Sequence, residues 1–342
     1  MARYDDVRTA LRQNPRTWLV TGAAGFIGSH LVETLLDLSQ RVVGVDNFVT
    51  GSRQNIADAG LGHGLFTFYE GDITDAAFMA DACAGVDVVL HQAALGSVPR
   101  SIADPQATHR ANVDGFVTTL IAARDAGVKR VVYASSSSVY GDDATLPKVE
   151  HRVGKPLSPY AATKAIDEVY AGVFQHTYGL SSVGLRYFNV FGPRQDKDGP
   201  YAAVIPTWVS RLLAGEACTI NGDGDTSRDF CFVGNAVQAN ILAGVAPDDA
   251  AGRAYNVAFG ARTTLSSLFG LLRDGLAALE TDAAKQQALL TMRPVPGPFR
   301  PGDVRHSLAD ISLARQYLGY EPTHDIAAGL NEALAWYAAH AR

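Results

Sequence analysis

A tyrosine and a lysine stand four residues apart in "SPYAATK" (158–164). Residues at that spacing share one face of a helix. A phenol and an ammonium placed this way are either a solvated surface pair or a base whose proton affinity is lowered by a neighbouring cation. A free tyrosine ionises near pH 10, so a useful base at neutral pH needs about 3 pK units of help, or about 4 kcal/mol of differential stabilisation. Lys164 can supply part of it, because a nearby cation favours the phenolate. Upstream, "ASSSSVYG" (134–141) offers Ser135 to Ser138 as hydroxyl donors that could hold a reacting group.

A second pattern supplies a partner for that chemistry. "TGAAGFIG" (21–28) follows the apolar run "TWLVT" and opens an amphipathic stretch, with Gly22, Gly25 and Gly28 spaced G-x-x-G-x-x-G. Glycines let the backbone turn tightly and approach a pyrophosphate, and the helix that follows presents unpaired N–H groups to it. The strand before and the helix after are the context such a pattern requires. Asp46 closes the next apolar run, "RVVGVD", 18 residues beyond Gly28. A carboxylate there accepts from an adenosine ribose diol and repels a 2′-phosphate, which favours NAD over NADP. Asp72 in "GDITD" could meet the adenine or serve as an Asx-turn residue. The positive nicotinamide of bound NAD would add a second cation beside the phenol.

Positioning these groups requires a layered fold. Buried strands are expected at 17–21, 41–46, 65–70, 86–92, 130–135 and 182–188, each a short apolar run. Helical stretches lie between most of them, including 111–127 and 160–179, and a short amphipathic helix is expected at about 4–13. Strand, helix, strand in alternation implies an α/β, doubly wound parallel Rossmann sheet with helices on both faces. Past residue 190 the chain turns rich in Pro and Gly, as in "FGPRQDKDGPYAAVIP" and "RPVPGPFRPGD". Residues 1–190 are read mainly as the NAD-binding domain with an extra N-terminal helix. Residues 191–342 are read mainly as a smaller mixed lobe for substrate, partly interleaved with the sheet and lying at its carboxyl edge.

The whole chain of 342 residues, 47% hydrophobic and 19% charged, is ordinary for a folded protein. A net charge of −6 argues against a nucleic-acid footprint. Cys83, Cys218 and Cys231 are scattered, without a CxxC or Cys/His cluster, so no metal site or disulfide framework is suggested. No 18-residue apolar run or secretory h-region occurs, so no membrane association is expected and the cytoplasm is the default compartment. His91 reads as a satisfied strand-end histidine, and Cys231 as core packing. Of Tyr133 and Tyr187, the latter is the expected contact at the site.

The glycine turn, the serine strand end, "YAATK" and "LRYFNVFGP" resemble the extended short-chain dehydrogenase/reductase family, over about residues 17–338. Within it the chain resembles nucleotide-sugar 4-epimerases, and most closely the bacterial UDP-N-acetylglucosamine 4-epimerases, including those acting on the corresponding uronic acid. "HQAALGSVPRS", "INGDGDTSRDFC", "GDVRHSLADIS" and the extra N-terminal helix carry that finer likeness. The resemblance implies that Tyr160 takes the proton of the sugar 4-hydroxyl while hydride leaves carbon 4 for NAD. The 4-keto sugar then turns over, and hydride returns to its opposite face. Ser136 corresponds to the catalytic hydroxyl, and Lys164 orients the nicotinamide ribose. Sister dehydratases usually carry Thr-Asp-Glu where this chain has Ser136-Ser137-Ser138, and related decarboxylases keep a glutamate at the place of Ser138. Epimerisation is therefore expected, with interconversion of UDP-GlcNAc and UDP-GalNAc as the leading reading. UDP-N-acetylglucosaminuronate 4-epimerisation is the alternative, and UDP-glucose follows it.

The same resemblance assigns further residues. Phe26, Ile27, Asn47, Gly51, Ile73, Gln92, Ala93 and Val190 join the cofactor side with Gly22, Gly25, Gly28, Asp46, Asp72, Tyr160, Lys164 and Tyr187. On the substrate side, Asn189 contacts the sugar diphosphate and Arg228 and Arg300 clamp it, a task that suits a planar multi-donor cation. Asp303 holds the uridine ribose, Ile220 and Asn221 form the uracil strand, and Ala203, Val204 and Trp208 the pocket wall. Ser137 lies with Ser136 beside the sugar. Ser307 sits where some glucose-type epimerases carry a tyrosine, leaving room for an acetamido group, with Gly96 and Ser97 on the opposite wall. The helices at about 105–126 and 160–179 match a two-helix surface, which implies a homodimer joined by a four-helix bundle.

Overall fold

The computed structural model describes residues 2–196, 203–299 and 304–340. Seven parallel strands form one sheet: β1 (Thr17–Thr21), β2 (Arg41–Asp46), β3 (Phe66–Glu70), β4 (Val88–His91), β5 (Arg130–Ser136), β6 (Ser182–Tyr187) and, from far downstream, β11 (Arg253–Val257). Their order is β11-β6-β5-β4-β1-β2-β3. The direction of strand addition reverses between β1 and β4, and in such sheets a crevice opens at this switch point beyond the carboxyl ends. β1 pairs with β2 from Thr17↔Arg41 to Thr21↔Val45, and with β4 from Trp18↔Val88 to Thr21↔His91. The Gly turn after Thr21, Asp46 and Gln92 consequently arrive at one edge.

Helices cover both faces. On one, Ala76–Cys83, Gly115–Asp125 and Pro159–Tyr178 pack over Leu19, Val89 and Val131. On the other, Phe26–Asp37 and Val233–Gly244 pack over Val20, Leu90 and Val132. Every residue from Asn235 to Gly244 is buried, so a helix from the C-terminal half completes the core of the N-terminal sheet. The N-terminal helix Ala2–Gln13 reaches this face through Leu11, whose carbonyl accepts from Gln40 Nε2 at 2.9 Å.

Short strands build the remainder. β7 (Val190–Phe191) pairs with β10 (Cys231–Phe232), β8 (Thr219–Asn221) with β13 (Val295–Gly297), and β9 (Ser227–Arg228) with β12 (Thr263–Thr264). They surround a separate apolar cluster that includes Ile205, Trp208, Phe269 and Leu272. Among the described residues no helix is long and apolar enough to cross a membrane.

The helix expected at 111–127 is interrupted. Pro105–His109 runs into a π-helical turn, Arg110–Asp114, before Gly115–Asp125. The wider turn points Asn112 inward, where it accepts from Leu95 N at 2.8 Å and donates to Thr163 Oγ1 at 3.0 Å. Apolar periodicity cannot show such a bulge, since one extra residue shifts the phase locally.

Candidate active site

A crevice of about 1250 Å³ opens along the carboxyl edge of the sheet. Its floor is the glycine turn. Gly22 has φ +66, and a Cβ there would lie 2.8 Å from Ala93 N. A Cβ on Gly28 would come within 2.0 Å of the Gly22 carbonyl oxygen. The helix Phe26–Asp37 starts at Gly25 without a side-chain cap, which leaves its first N–H groups facing the crevice. The turn is a backbone cradle with the shape and polarity for a pyrophosphate.

Asp46 is 8% exposed and braces this cradle. Its Oδ2 accepts from Ala24 N at 3.0 Å and its Oδ1 from Phe48 N at 2.7 Å. Burial raises its pKa above the usual carboxylate range, against the pull of those N–H groups. Asp72 serves as the Asx-turn residue and also lines the crevice. Its Oδ1 closes an Asx turn with Thr74 N at 2.9 Å, and its Oδ2 accepts from Asn47 Nδ2 at 2.9 Å on the crevice rim. Partial burial works against Asp72, yet these donors together hold its pKa below the ordinary value.

Tyr160 and Lys164 reach the same crevice from the first turns of Pro159–Tyr178. That helix begins where it does because Ser158 Oγ accepts from Ala161 N at 3.1 Å and Pro159 occupies the first position. Gly179, left-handed at φ +70, ends it. Ser136 ends β5 and lines the crevice with Ser137, and its Oγ accepts from Ser138 N at 3.1 Å. Ser135 is drawn away, donating to Glu168 Oε1 at 2.5 Å.

Every cofactor-side residue expected from the sequence lines this crevice: Gly22, Gly25, Phe26, Ile27, Gly28, Asp46, Asn47, Gly51, Asp72, Ile73, Gln92, Ala93, Tyr160, Lys164, Tyr187 and Val190. Tyr187 is fixed by a closed ring of hydrogen bonds. Its hydroxyl donates to Gln92 Oε1 at 3.0 Å and accepts from Asn240 Nδ2 at 2.7 Å, and Gln92 Nε2 donates to Asn240 Oδ1 at 2.9 Å. Tyr133 instead packs on Phe116 in the core, with ring centroids 5.0 Å apart.

On the substrate side Gly96, Ser97, Asn189 and Ala203 line the crevice. Asn189 has φ +34, an uncommon backbone for a residue with a side chain, and its Nδ2 donates to the Asp229 carbonyl at 3.2 Å. Ser136, Ser137 and Tyr160 line it as well, whereas Val204, Trp208, Ile220, Asn221, Arg228 and Ser307 do not. Val204 opens the helix Val204–Leu213 next to Ala203. Trp208 is a correction: it is 5% exposed and packs edge-on against Phe269 at 6.1 Å, inside the lobe's core. An indole on the apolar face of an amphipathic helix is drawn inward by its area. Ile220 is buried on β8 with Asn221 beside it. Arg228 and Ser307 meet on β9, where Ser307 N donates to the Ser227 carbonyl at 3.0 Å and Arg228 Nη1 to the same oxygen at 3.0 Å. Arg300 and Asp303 lie outside the described residues.

His91 is also corrected. Its Nδ1 pairs with Thr21 Oγ1 at 3.0 Å, but its Nε2 is sealed from solvent with no hydrogen-bond partner. Burial, aided by the Lys164 charge, pushes its pKa down to about 3, so the ring is neutral. Sequence reading missed Arg100, Arg110, Arg194 and Trp336 on the crevice wall, and Asn112 and Asn240 behind it. Only Asn112 carried a signal, as an asparagine set in an apolar helical stretch.

The chain matches the family described as NAD dependent epimerase/dehydratase over residues 18–258. It is 37% identical to a UDP-glucose 4-epimerase of Mycolicibacterium smegmatis, covering 93% of this chain and 97% of that one. It is 34% identical to UDP-glucuronate 4-epimerase 6 of Arabidopsis thaliana, covering 96% and 73% of the two chains. A solved UDP-N-acetylglucosamine 4-epimerase from Methanobrevibacter ruminantium, in complex with UDP-N-acetylmuramic acid, superposes with a TM-score of 0.86 at 38% identity, over 95% of this chain and 99% of that one. With a glycine cradle that no Cβ could enter, the Asp46 carboxylate and a tyrosine–lysine pair on one crevice, the chain belongs to the NAD dependent epimerase/dehydratase family and takes NAD as its cofactor.

Proposed function

We propose that this protein is a UDP-N-acetylglucosamine 4-epimerase, interconverting UDP-GlcNAc and UDP-GalNAc. The observation that carries the reading is the meeting of Tyr160, Lys164 and Ser136 with the glycine cradle in one crevice. The similar Methanobrevibacter enzyme supports the choice of sugar. Tyr160 is positioned as the base for the 4-hydroxyl, and Ser136 as a donor to the same oxygen. The glycine cradle and Asp46 would hold NAD, which would supply the reversible hydride acceptor for carbon 4. Lys164 holds the nicotinamide ribose, and the Tyr187–Gln92–Asn240 ring keeps the wall beside it rigid. Arg228 and Arg300 clamp the diphosphate and Asp303 the uridine ribose. The domain division at residue 190 then separates cofactor from substrate duties, with Val233–Gly244 and β11 returned to the sheet.

One observation favours a second substrate. Arg100 lines the crevice with Ser97, Ser136 and Ser137, a cation and hydroxyls that suit a carboxylate on carbon 6. UDP-N-acetylglucosaminuronate is therefore the alternative, and UDP-glucose follows. Incubation with UDP-GlcNAc, UDP-glucose and their uronates, followed at the anomeric protons by NMR, separates the three. We expect a new galacto-configured signal first from UDP-GlcNAc. No signal from any of the four sugars would refute the epimerase reading.

A homodimer is part of this proposal. Val169, Tyr170 and Val173 on Pro159–Tyr178 and Ile121 on Gly115–Asp125 are exposed, an apolar stripe across two adjacent helices. Val169→Asp should convert a dimer to a monomer in sedimentation, and a wild-type monomer at micromolar concentration would refute it. The cytoplasm is the compartment we infer, in keeping with three buried, free cysteines.

A further inference from the structure

Behind the crevice wall lies a carboxylate that the reaction outlined above does not use. Asp167 stands one turn beyond Lys164, and Lys164 Nζ donates to Asp167 Oδ2 at 3.1 Å. Both side chains are 2% exposed. Lys164 lines the crevice and Asp167 does not, so the ammonium has a carboxylate on its inner side and the cofactor space on its outer side. Asp167 Oδ1 is sealed from solvent with no hydrogen-bond partner, which leaves Lys164 as the side chain that holds this carboxylate.

The titratable groups around the pair come from four elements. Glu168 shares the helix, His109 faces Asp167 from Pro105–His109, Tyr133 faces it from β5, and His91 faces Lys164 from β4. Glu168 is occupied by Arg186 and Ser135. Tyr133 is pushed well above its ordinary pKa by burial, and His91 well below, so both stay neutral. His109 is half exposed and lies 3.7 Å from Asp114.

We propose that Asp167 is a positioning residue that fixes the Lys164 ammonium at the crevice wall, and that protonating this carboxylate weakens NAD binding. The proposal rests on the reading of Lys164 as the partner of the nicotinamide ribose. Burial, opposed by Lys164, pushes the Asp167 carboxyl up to about 6. Below that pH the hydrogen bond loses its charge, the lysine stem gains rotamer freedom, and the cofactor must order it on binding.

The test is NAD binding by calorimetry to the full chain stripped of nucleotide, from pH 7.5 to 5.5. Loss of one charge-assisted contact corresponds to about tenfold in Kd. Wild type should weaken by about that factor as pH falls. Asp167→Asn should be weakened by a like factor at pH 7.5 and be flat with pH, as should Asp167→Ser, a second neutral replacement should the first not fold. Asp167→Glu should regain part of the affinity, and His109→Gln should keep the wild-type profile. Wild-type affinity in either neutral variant, a wild-type pH profile in them, or its loss in His109→Gln overturns the proposal. Lys164→Met separates the two readings. If it binds NAD normally, the role given to Lys164 falls. If it binds weakly while Asp167→Asn does not, the inference about Asp167 alone falls.

Discussion

Gly28 offers the most exacting test of the cradle. A Cβ at that position would sit 2.0 Å from the Gly22 carbonyl oxygen, 2.8 Å from the Gly22 carbonyl carbon and 3.1 Å from Ala23 Cα. Ordinary van der Waals contact starts at 3.4 Å, so Gly28→Ala must push turn and helix apart by about 1.4 Å. All three neighbours are backbone, and no rotamer change relieves them. Overpacking of this kind costs about 1–3 kcal/mol, and a clash with main chain belongs at the upper end. At a melting entropy of about 2.1 cal/mol/K per residue, about 3 kcal/mol lowers the Tm of a 342-residue chain by about 4 °C. The loss in cofactor binding should be larger in proportion. A turn displaced by more than about 1 Å gives up at least one charge-assisted amide–phosphate hydrogen bond, worth about 10- to 100-fold in Kd. Calorimetric titration of NAD onto the stripped protein and a thermal melt by circular dichroism measure the two quantities. Gly96→Ala is the control, because no heavy atom lies within 4 Å of the place its methyl carbon would take. A Gly28→Ala protein that binds NAD within twofold of wild type and melts at the same temperature would refute the close-approach argument.

Other perturbations probe separate links. Tyr160→Phe should cut epimerisation by at least about 1000-fold while NAD affinity stays within a few-fold, as expected for a group needed in the proton-transfer step; near-normal turnover would remove the tyrosine from the chemistry. Ser307→Tyr should spare UDP-glucose and exclude acetamido sugars, and unchanged turnover of UDP-GlcNAc would dismiss the pocket argument. Arg186 donates to both Glu168 oxygens, at 2.9 and 2.8 Å, and its Nη1 to Tyr140 Oη at 3.1 Å. Arg186→Met strands a largely buried carboxylate and should cost about 3–5 kcal/mol in urea unfolding, part of it recovered by Glu168→Leu on the same background. His91, held near 3 in the fold against an ordinary 6.5, refuses a proton that the unfolded chain accepts. Its contribution to stability is therefore complete above about 6.5 and is lost as pH falls towards 3; His91→Gln should flatten the acid limb of the stability profile.

What the sequence shows and what it hides divide along a physical line. The glycine turn, Asp46 and the Tyr160–Lys164 spacing are local devices: each needs only its own strand, turn or helix, and the parallel order then delivers them to one edge. Short continuous apolar runs marked the six upstream strands for the same reason. β11 and the fully buried helix Val233–Gly244 return to the sheet after an irregular lobe, so no local alternation announces them. Asn240 meets Gln92 across 148 residues, a contact set by topology alone. Trp208 went the other way. The resemblance implied a place in the pocket wall, but its helix has one strongly apolar side, and the indole turned with that side into the core. Asp167 was hidden by its company, since an acid three residues from a lysine on a helix usually marks a solvated pair, and only the depth of this helix against β5 and β6 seals it.

The serine strand end bears on the choice among the family's reactions. Loss of water or carbon dioxide from a 4-keto sugar needs an acid and a base near the neighbouring carbons. Here Ser136 and Ser137 line the crevice, and Ser138 Oγ is sealed from solvent without a hydrogen-bond partner. A carboxylate does reach this strand end, Glu168, through its 2.5 Å bond from Ser135. It is disarmed by location and by charge, being clamped by Arg186 on both oxygens behind the wall. The acids braced on the cofactor side, Asp46 and Asp72, are engaged by backbone and side-chain donors beside the glycine turn. From 136–138 the crevice thus receives two neutral hydroxyls, Ser136 and Ser137, and no carboxylate. Hydroxyls of this kind suit the reversible oxidation at one carbon that 4-epimerisation requires, whereas an elimination calls for an acid and a base at this place.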